Sequence, residues 1–249
     1  MSPFWSYKHR FYVPSELQVG SNYQIPEDKA RHIVQVLRLT IGAEFILFNG
    51  NGKEYLAKLI EAKKKSARVL ITATEAVNRE SNLSVDLIQG LSKGDRMDAT
   101  IQKCVELGVS LIHPVSTARS NLRISENRKD KKYLHWQGVI ISACEQSGRN
   151  VVPKLMEVGS LESVLRDYDK YTGLKLILHP VATNTLFNMN ESPQKLVLLV
   201  GPEGGFTDDE LDMAESHGFK AVSLGPRILR TETAAMAVIS GIQAKWGDT

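Results

Sequence analysis

The chain has 249 residues, of which 42% are hydrophobic and 24% are charged, as in ordinary soluble globular proteins. Its longest strongly apolar run, Leu196 to Val200, is too short to span a bilayer. The first residues contain no apolar stretch of signal-peptide length, so we expect a cytoplasmic protein. The net charge of +3 does not by itself indicate a nucleic acid partner.

The pattern of residues 1–74 predicts a small, mostly β unit. Its predicted strands are Arg10–Val13, Glu44–Phe48, Glu54–Ile60 and Ala67–Thr72. Asn49-Gly50-Asn51-Gly52 has the composition of a hairpin turn. Apolar residues at helical spacing predict one helix over Pro26–Arg38, with Pro26 in its first turn. Several short strands with one helix indicate a small barrel.

Residues 75–82 are polar and aperiodic, which indicates a linker. From residue 83 to 249 strands and helices alternate, which predicts an α/β domain with a largely parallel sheet. The predicted strands are Val85–Leu91, Leu111–Thr117, Lys175–His179, Lys195–Val200 and Ala221–Leu224. The predicted helices are Asp95–Leu107, Lys131–Ser147, Leu161–Tyr168, Asp208–His217 and Glu232–Lys245. Thr207-Asp208-Asp209-Glu210 is typical of a capping box, and Gly218 of a helix stop.

Basic residues form two clusters. One is Lys63-Lys64-Lys65, between two predicted strands, and the other lies within residues 119–132, which include Arg119, Arg123 and Arg128. A solvated surface and a phosphate contact both remain open for each cluster.

Three predicted strands in the second half end in unusual loops. The loops begin with Leu178-His179-Pro180, with Gly201-Pro202-Glu203-Gly204-Gly205 and with Leu224-Gly225-Pro226-Arg227. Because ligands of parallel α/β sheets bind at the carboxyl ends of strands, these loops could surround one small molecule. The second loop lacks the spacing of a dinucleotide fold and the lysine of a P-loop, which argues against an NAD enzyme and an NTPase.

The order of four motifs carries a family resemblance. They are Lys103–Gly108, Glu145-Gln146-Ser147-Gly148-Arg149, Gly201–Gly205 and the long segment Leu224–Ala234. With His9-Arg10-Phe11 and the Ala30–Arg38 segment, the chain resembles the ribosomal RNA small-subunit methyltransferase E family of the SPOUT superfamily over nearly its whole length.

The resemblance implies a PUA-like N-terminal RNA-binding domain and a C-terminal SPOUT-type domain with a deep trefoil knot. It implies S-adenosylmethionine as the cofactor, methylation of uridine N3 in the decoding region of 16S rRNA within the small ribosomal subunit, and a homodimer. Whether free rRNA or the assembled subunit is the substrate stays open.

The expected cofactor site combines apolar walls with glycines that let the loops approach the ligand. The walls are assigned to Leu178, Leu199, Leu224, Ile228 and Leu229. The close-approach positions are Gly201, Gly204, Gly205 and Gly225, and the remaining loop residues expected near the cofactor are His179 and Thr231.

Uridine N3 must lose its proton before it can be methylated, and a nearby cation favours the anionic base. Arg10 and Arg230 are the catalytic candidates for this electrostatic role. The base itself could be Glu203, Glu232 or water. Contacts with RNA are expected from Arg10, Arg123, Arg128 and Arg149.

Neither the six histidines nor Cys104 and Cys144 show metal-ligand or disulfide-framework spacing, so no metal is expected. Small residues on several faces of 234–241 indicate a helix packed on more than one side, and the resemblance suggests that a second subunit covers part of it. The alternatives are a SPOUT enzyme that modifies a ribose 2′-hydroxyl or another base, and a non-catalytic RNA-binding protein.

Overall fold

The computed structural model describes residues 9–120 and 126–248. The chain divides into two compact units. The first unit contains residues 1–80 and 144–152, and the second contains residues 81–143 and 153–249. The segment 144–152 is thus an addition to the N-terminal unit that the sequence pattern did not indicate.

The first unit is built on a five-stranded sheet in the order β1-β3-β4-β5-β2. Its strands are β1 (Arg10–Tyr12), β2 (Asn22–Ile25), β3 (Glu44–Phe48), β4 (Lys53–Lys63) and β5 (Ser66–Ala76). β1 pairs with β3 in parallel and the other neighbours are antiparallel. The predicted hairpin between β3 and β4 is confirmed, whereas β5 extends two residues into the segment predicted as a linker.

The predicted single helix Pro26–Arg38 is wrong in its second half. An α-helix, α1, covers only Glu27–Arg31, and a π-helical turn follows over His32–Val36. Three of the five residues of that turn, Ile33, Val34 and Val36, are β-branched, and such side chains crowd the preceding turn of an α-helix. The segment ends at Arg38, whose φ of 53° is left-handed.

The second unit has a sheet in which every recorded strand pair is parallel. The order is β12-β10-β11-β6-β7-β8, with β9 also paired to β7. The strands are β6 (Ser84–Gly90), β7 (Leu111–Ser116), β8 (Lys154–Leu155), β9 (Gly159–Ser160), β10 (Leu174–Leu178), β11 (Lys195–Val200) and β12 (Lys220–Val222). The prediction of an α/β fold with a parallel sheet is confirmed.

The helices of this part of the chain are α2 (Asp95–Glu106), α3 (Glu126–Ser147), α4 (Leu161–Asp167), α5 (Asp208–Ser216) and α6 (Thr231–Trp246). The capping box at the start of α5 is present, with Thr207 and Glu210 bonded reciprocally, and Gly218 follows with a φ of 84°. Within the residues described, no helix combines the length and the apolar character that a bilayer crossing requires.

Candidate active site

A cavity of about 610 Å³ lies at the carboxyl edge of the parallel sheet. Because β10 lies between β11 and β12, the loops that follow these three strands meet at one edge. The cavity is lined by residues of all three loops and by the start of α6. Its volume falls in the range of small-molecule sites, roughly 300–1,000 Å³.

The cavity contains nearly all of the residues expected to bind the cofactor. Those that line it are Leu178, His179, Gly201, Gly204, Gly205, Leu224, Gly225, Ile228, Leu229 and Thr231. Leu199 does not line it: the side chain is fully buried in the core of the sheet, where it packs with residues such as Ile88 and Phe206. Leu199 therefore stabilises the strand that ends in the second loop.

The loop after β11 is tied to the start of α6. The Thr231 hydroxyl donates to the carbonyl oxygen of Gly201 at 2.6 Å. The buried side-chain amide of Gln89 donates to the Thr231 hydroxyl at 3.2 Å and to the carbonyl oxygen of Gly90 at 3.0 Å. A Cβ on Gly90 would stand 2.5 Å from the backbone nitrogen of Pro202, so only glycine permits this approach.

Arg119, which also lines the cavity, bonds to the same loop. Its guanidinium donates to the carbonyl oxygens of Phe206 at 2.9 Å and of Gly204 at 3.3 Å. A Cβ on Gly204 would stand 2.9 Å from the Cβ of Arg119. This arginine belongs to the basic cluster for which phosphate contact was one interpretation, and its recorded bonds give it a role in shaping the loop.

Glu203 is the more constrained of the two candidate bases. Its Oε1 accepts hydrogen bonds from the Arg96 guanidinium at 2.9 Å and from the backbone amide of Lys93 at 3.1 Å. Partial burial works against ionisation, but these hydrogen bonds and that of its own amide outweigh it and hold the pKa of Glu203 below its ordinary value. Glu203 is therefore a weak proton acceptor.

Glu232 and Arg230 bring opposite charges to the wall formed by α6. Oε2 of Glu232 is buried and has no hydrogen-bond partner among the described residues, as is also true of the second oxygen of Glu203. Arg230 is exposed at the position that precedes α6. A buried carboxylate oxygen without a donor is costly, so a donor from a bound molecule would stabilise it.

Two glycines of the cavity have backbone conformations that other residues avoid. Gly205 has a φ of 67° and Gly225 a φ of 121°. A Cβ at either would meet no atom of the described residues within 4 Å. The glycines are thus required by the turns, and the space beside them is open to a ligand.

Arg10 belongs to the first unit and is engaged in a buried ion network. Its guanidinium pairs with the fully buried Glu54, which also pairs with Arg79, and it donates to the carbonyl oxygen of Gly148 at 3.0 Å. Burial lowers the pKa of Arg10, and Glu54 opposes that shift. With only 11% of its side chain exposed, Arg10 is explained as a structural residue, and its expected roles at the base and on RNA receive no support from its surroundings.

The other arginines expected to bind RNA differ in their settings. Arg149 has 4% of its side chain exposed and pairs with Glu80, so it too is engaged within the first unit. Arg128 is exposed on α3. Arg123 lies outside the described residues.

Among the described residues, no group of three His, Cys, Asp or Glu side chains is arranged so that it could hold a metal ion. Two histidines are engaged with carboxylates, His135 with Asp98 at 2.6 Å and His217 with Asp169 at 2.5 Å. Both cysteines are buried and free. Burial raises the pKa of Cys144 to about 12, which keeps its thiol protonated.

Comparison with known proteins adds to this geometry. A model of the RNA methyltransferase domain matches residues 79–243, and a model of the RNA methyltransferase PUA domain matches residues 25–72. Ribosomal RNA small subunit methyltransferase E of Buchnera aphidicola is 35% identical over 96% of this chain and 97% of its own. The Bacillus subtilis protein of the same name is 31% identical over 91% of both chains.

Two solved structures are similar over 96% of this chain and 98% of their own. A Legionella pneumophila structure, in complex with the bound cofactor SAM, has a TM-score of 0.92 and 42% identity. Ribosomal RNA small subunit methyltransferase E from Neisseria gonorrhoeae, bound to S-adenosyl methionine, has a TM-score of 0.88 and 41% identity.

The parallel sheet, the cavity at its carboxyl edge and the two matched models define an RNA methyltransferase with an N-terminal PUA domain. Identity of this extent over nearly the whole chain places it more narrowly. The chain belongs to the ribosomal RNA small subunit methyltransferase E family.

Proposed function

We propose that this protein transfers a methyl group from S-adenosylmethionine to N3 of a uridine in the decoding region of 16S rRNA. The observation that carries the proposal is the three-loop cavity in a chain of this family. The choice of uridine N3 and of the decoding region rests on the family resemblance of the sequence. We include in the proposal the trefoil knot, the cytoplasmic location and the small ribosomal subunit as the setting of the target.

The residues of the cavity fit S-adenosylmethionine. Leu178, Leu224 and Leu229 offer apolar surface to an adenine ring, and the open space beside Gly225 allows the loop backbone to approach it. The bound sulfonium would supply an activated methyl group, so the task left to the protein is to align the target base and to manage its charge and proton.

Arg230 is the residue assigned to charge. Its side chain lines the cavity and is exposed, and within the described part of the chain it has no recorded hydrogen bond or ion pair. A guanidinium stays protonated, so it can stabilise negative charge on a uracil oxygen but cannot accept the N3 proton.

Glu232 is the better candidate to accept that proton. Glu203 is held by Arg96 and the amide of Lys93, and its lowered pKa makes it a weaker base. Glu232 has no such cation bound to it in the described residues. A general base must lie within hydrogen-bond reach of the proton, and Glu232 lines the cavity beside which the target base would be placed.

The homodimer is part of the proposal, and α6 supplies its support. One side of this helix is buried through residues such as Ala235, Val238 and Ile242. Ala237 and Ser240 are exposed on another side, where small residues permit close approach of a second backbone. Sedimentation tests this proposal: the parent should be dimeric, and Ala237→Phe should shift it toward the monomer. A monomeric parent with full activity would refute it.

The function itself is tested by deleting the gene and digesting the small-subunit rRNA to nucleosides for mass spectrometry. Loss of 3-methyluridine, restored by the parent protein but not by Arg230→Ala, is expected. Loss of a 2′-O-methyl nucleoside or of another methylated base would show that the methylated atom is not uridine N3. Unchanged nucleosides, together with no binding of S-adenosylmethionine in calorimetry, would favour an RNA-binding protein without catalysis.

A further inference from the structure

The π-helical turn of the first unit lies on a segment with a second unusual feature. Leu37 donates its backbone amide to the carbonyl oxygen of His32 at 2.9 Å, five residues back. Arg38 follows and is the only non-glycine residue with a positive φ in the part of the chain that the structure describes. π-Helical turns are frequent at functional sites, and left-handed residues other than glycine persist only where the fold holds them.

The two sides of this turn differ sharply. Ile33 is fully buried and anchors the turn to the core of the first unit. On the outer side His32 and Gln35 are exposed, and Val36 is 69% exposed. A side chain of this size contributes little to the core at that exposure, so Val36 is available to a ligand.

Exposed cations lie on the segment of the exposed valine and on the turn that bonds to it. The side-chain amide of Gln35 donates to the backbone oxygen of Lys64, which brings the β4–β5 turn against the π-helical turn. Arg38, Lys64 and Lys65 are exposed. None of the three forms an ion pair with a described residue, whereas the neighbouring Lys63 pairs with Glu61. The positive charge of this surface is therefore left without a counterion from the described chain.

We propose that the π-turn surface, made of His32, Val36, Arg38, Lys64 and Lys65, binds a single-stranded segment of the RNA substrate. The three cations would contact phosphates, and the exposed faces of His32 and Val36 would contact a base. A protein partner fits less well, because a single exposed valine is much smaller than the apolar centre of a protein interface. The π-turn surface would thus be an RNA contact of the first unit. This proposal depends on the proposed function in one respect, namely that the substrate is RNA.

The test uses the full-length protein and a short, fluorescein-labelled, single-stranded RNA of mixed sequence, with anisotropy measured across a salt series. Lys64→Ala/Lys65→Ala should weaken binding and lower the slope of log Kd against log salt by about 1.4, since each phosphate contact on a single strand contributes about 0.7. Val36→Ser should weaken binding several-fold with the slope unchanged, because it removes no charge.

Arg38 needs two substitutions, since its backbone is left-handed. Arg38→Asn removes the charge but keeps a residue that tolerates this conformation, and it should lower the slope. Arg38→Lys keeps the charge and should restore it. Lys170→Ala is the control, because Lys170 is an exposed lysine of the second unit, and its slope should equal that of the parent.

Parental affinity and slope in Lys64→Ala/Lys65→Ala and Arg38→Asn would overturn the proposal, as would an equal loss in Lys170→Ala. Unchanged affinity in Val36→Ser would remove the base contact from it. Binding of S-adenosylmethionine, measured by calorimetry, should be the same in every variant. A parent protein that binds RNA but not S-adenosylmethionine would refute the proposed function. The RNA affinities of the variants would still decide whether the π-turn surface binds RNA.

Discussion

Gly90→Ala should disable the cofactor loop from a position that does not line the cavity. The added Cβ would stand 2.5 Å from the nitrogen of Pro202 and 2.9 Å from the carbonyl carbon of Gly201, both backbone atoms. Ordinary contact begins near 3.4 Å, so the loop or the end of β6 must move by about 0.9 Å. Overpacking of this kind costs about 1–3 kcal/mol of stability, and misplacement by about 1 Å can lower the rate about 100-fold.

The measurements are the free energy of unfolding in urea, the Kd for S-adenosylmethionine in calorimetry and the rate of RNA methylation. Gly138→Ala is the matched control, because Gly138 lies within α3 and a Cβ there would meet no described atom within 4 Å. That control should gain about 0.5–1 kcal/mol from the better helix propensity of alanine. A Gly90→Ala protein with parental stability and parental Kd would refute the steric reasoning.

Three further predictions concern polar contacts. Arg10→Ala should destabilise the protein by about 3 kcal/mol in urea unfolding, because it removes a partner of the fully buried Glu54. Stability close to that of the parent would instead favour a role of Arg10 on RNA or at the reacting base. Thr231→Val should lower the free energy of unfolding by about 1–3 kcal/mol and weaken binding of S-adenosylmethionine, because the carbonyl oxygen of Gly201 loses its 2.6 Å donor. Thr231→Ser keeps the hydroxyl and should retain parental stability and affinity. Equal losses in the two variants would contradict this. The lowered pKa of Glu203 stabilises the folded parent above the ordinary pKa of glutamate, near 4.5, and this stabilisation fades as pH falls through the lower pKa of the folded state. Glu203→Gln lacks it, so the difference in unfolding free energy between parent and variant should shrink with acidification. A difference that grows with acidification would contradict the lowered pKa.

Much of the second unit could be predicted because its signals are local. The apolar run of β11 and the capping box of α5 each depend on a few neighbouring residues. The three loops could be grouped in advance because carboxyl ends of parallel strands share an edge. Its nearness to a loop predicts Leu199 in the cavity. A strand that is covered on both faces buries the side chains that point to either face, however, so the position near the loop does not decide where the side chain lies.

The missed features depend on contacts between distant parts of the chain. Gln89 and Gly90 shape the loop at Gly201, 111 or more residues away, and nothing in their neighbourhood indicates this. β2 contains only one fully buried residue, so its strand pattern is faint. The buried ion pair of Arg10 with Glu54 is a further such contact, because alternation alone does not identify the position of Glu54 as buried.

The membership of residues 144–152 in the first unit has a consequence for synthesis of the protein. Glu145 accepts the backbone amide of Tyr12, and Gly148 accepts from Arg10 and Arg79. When residue 80 has been translated, these acceptors do not yet exist, and 72 further residues must be added before residue 152 is in place. At about 5–20 residues per second, the nascent N-terminal unit waits roughly 4–14 s with the charges of Arg10 and Arg79 incompletely bonded, so its completion is timed by the elongating ribosome.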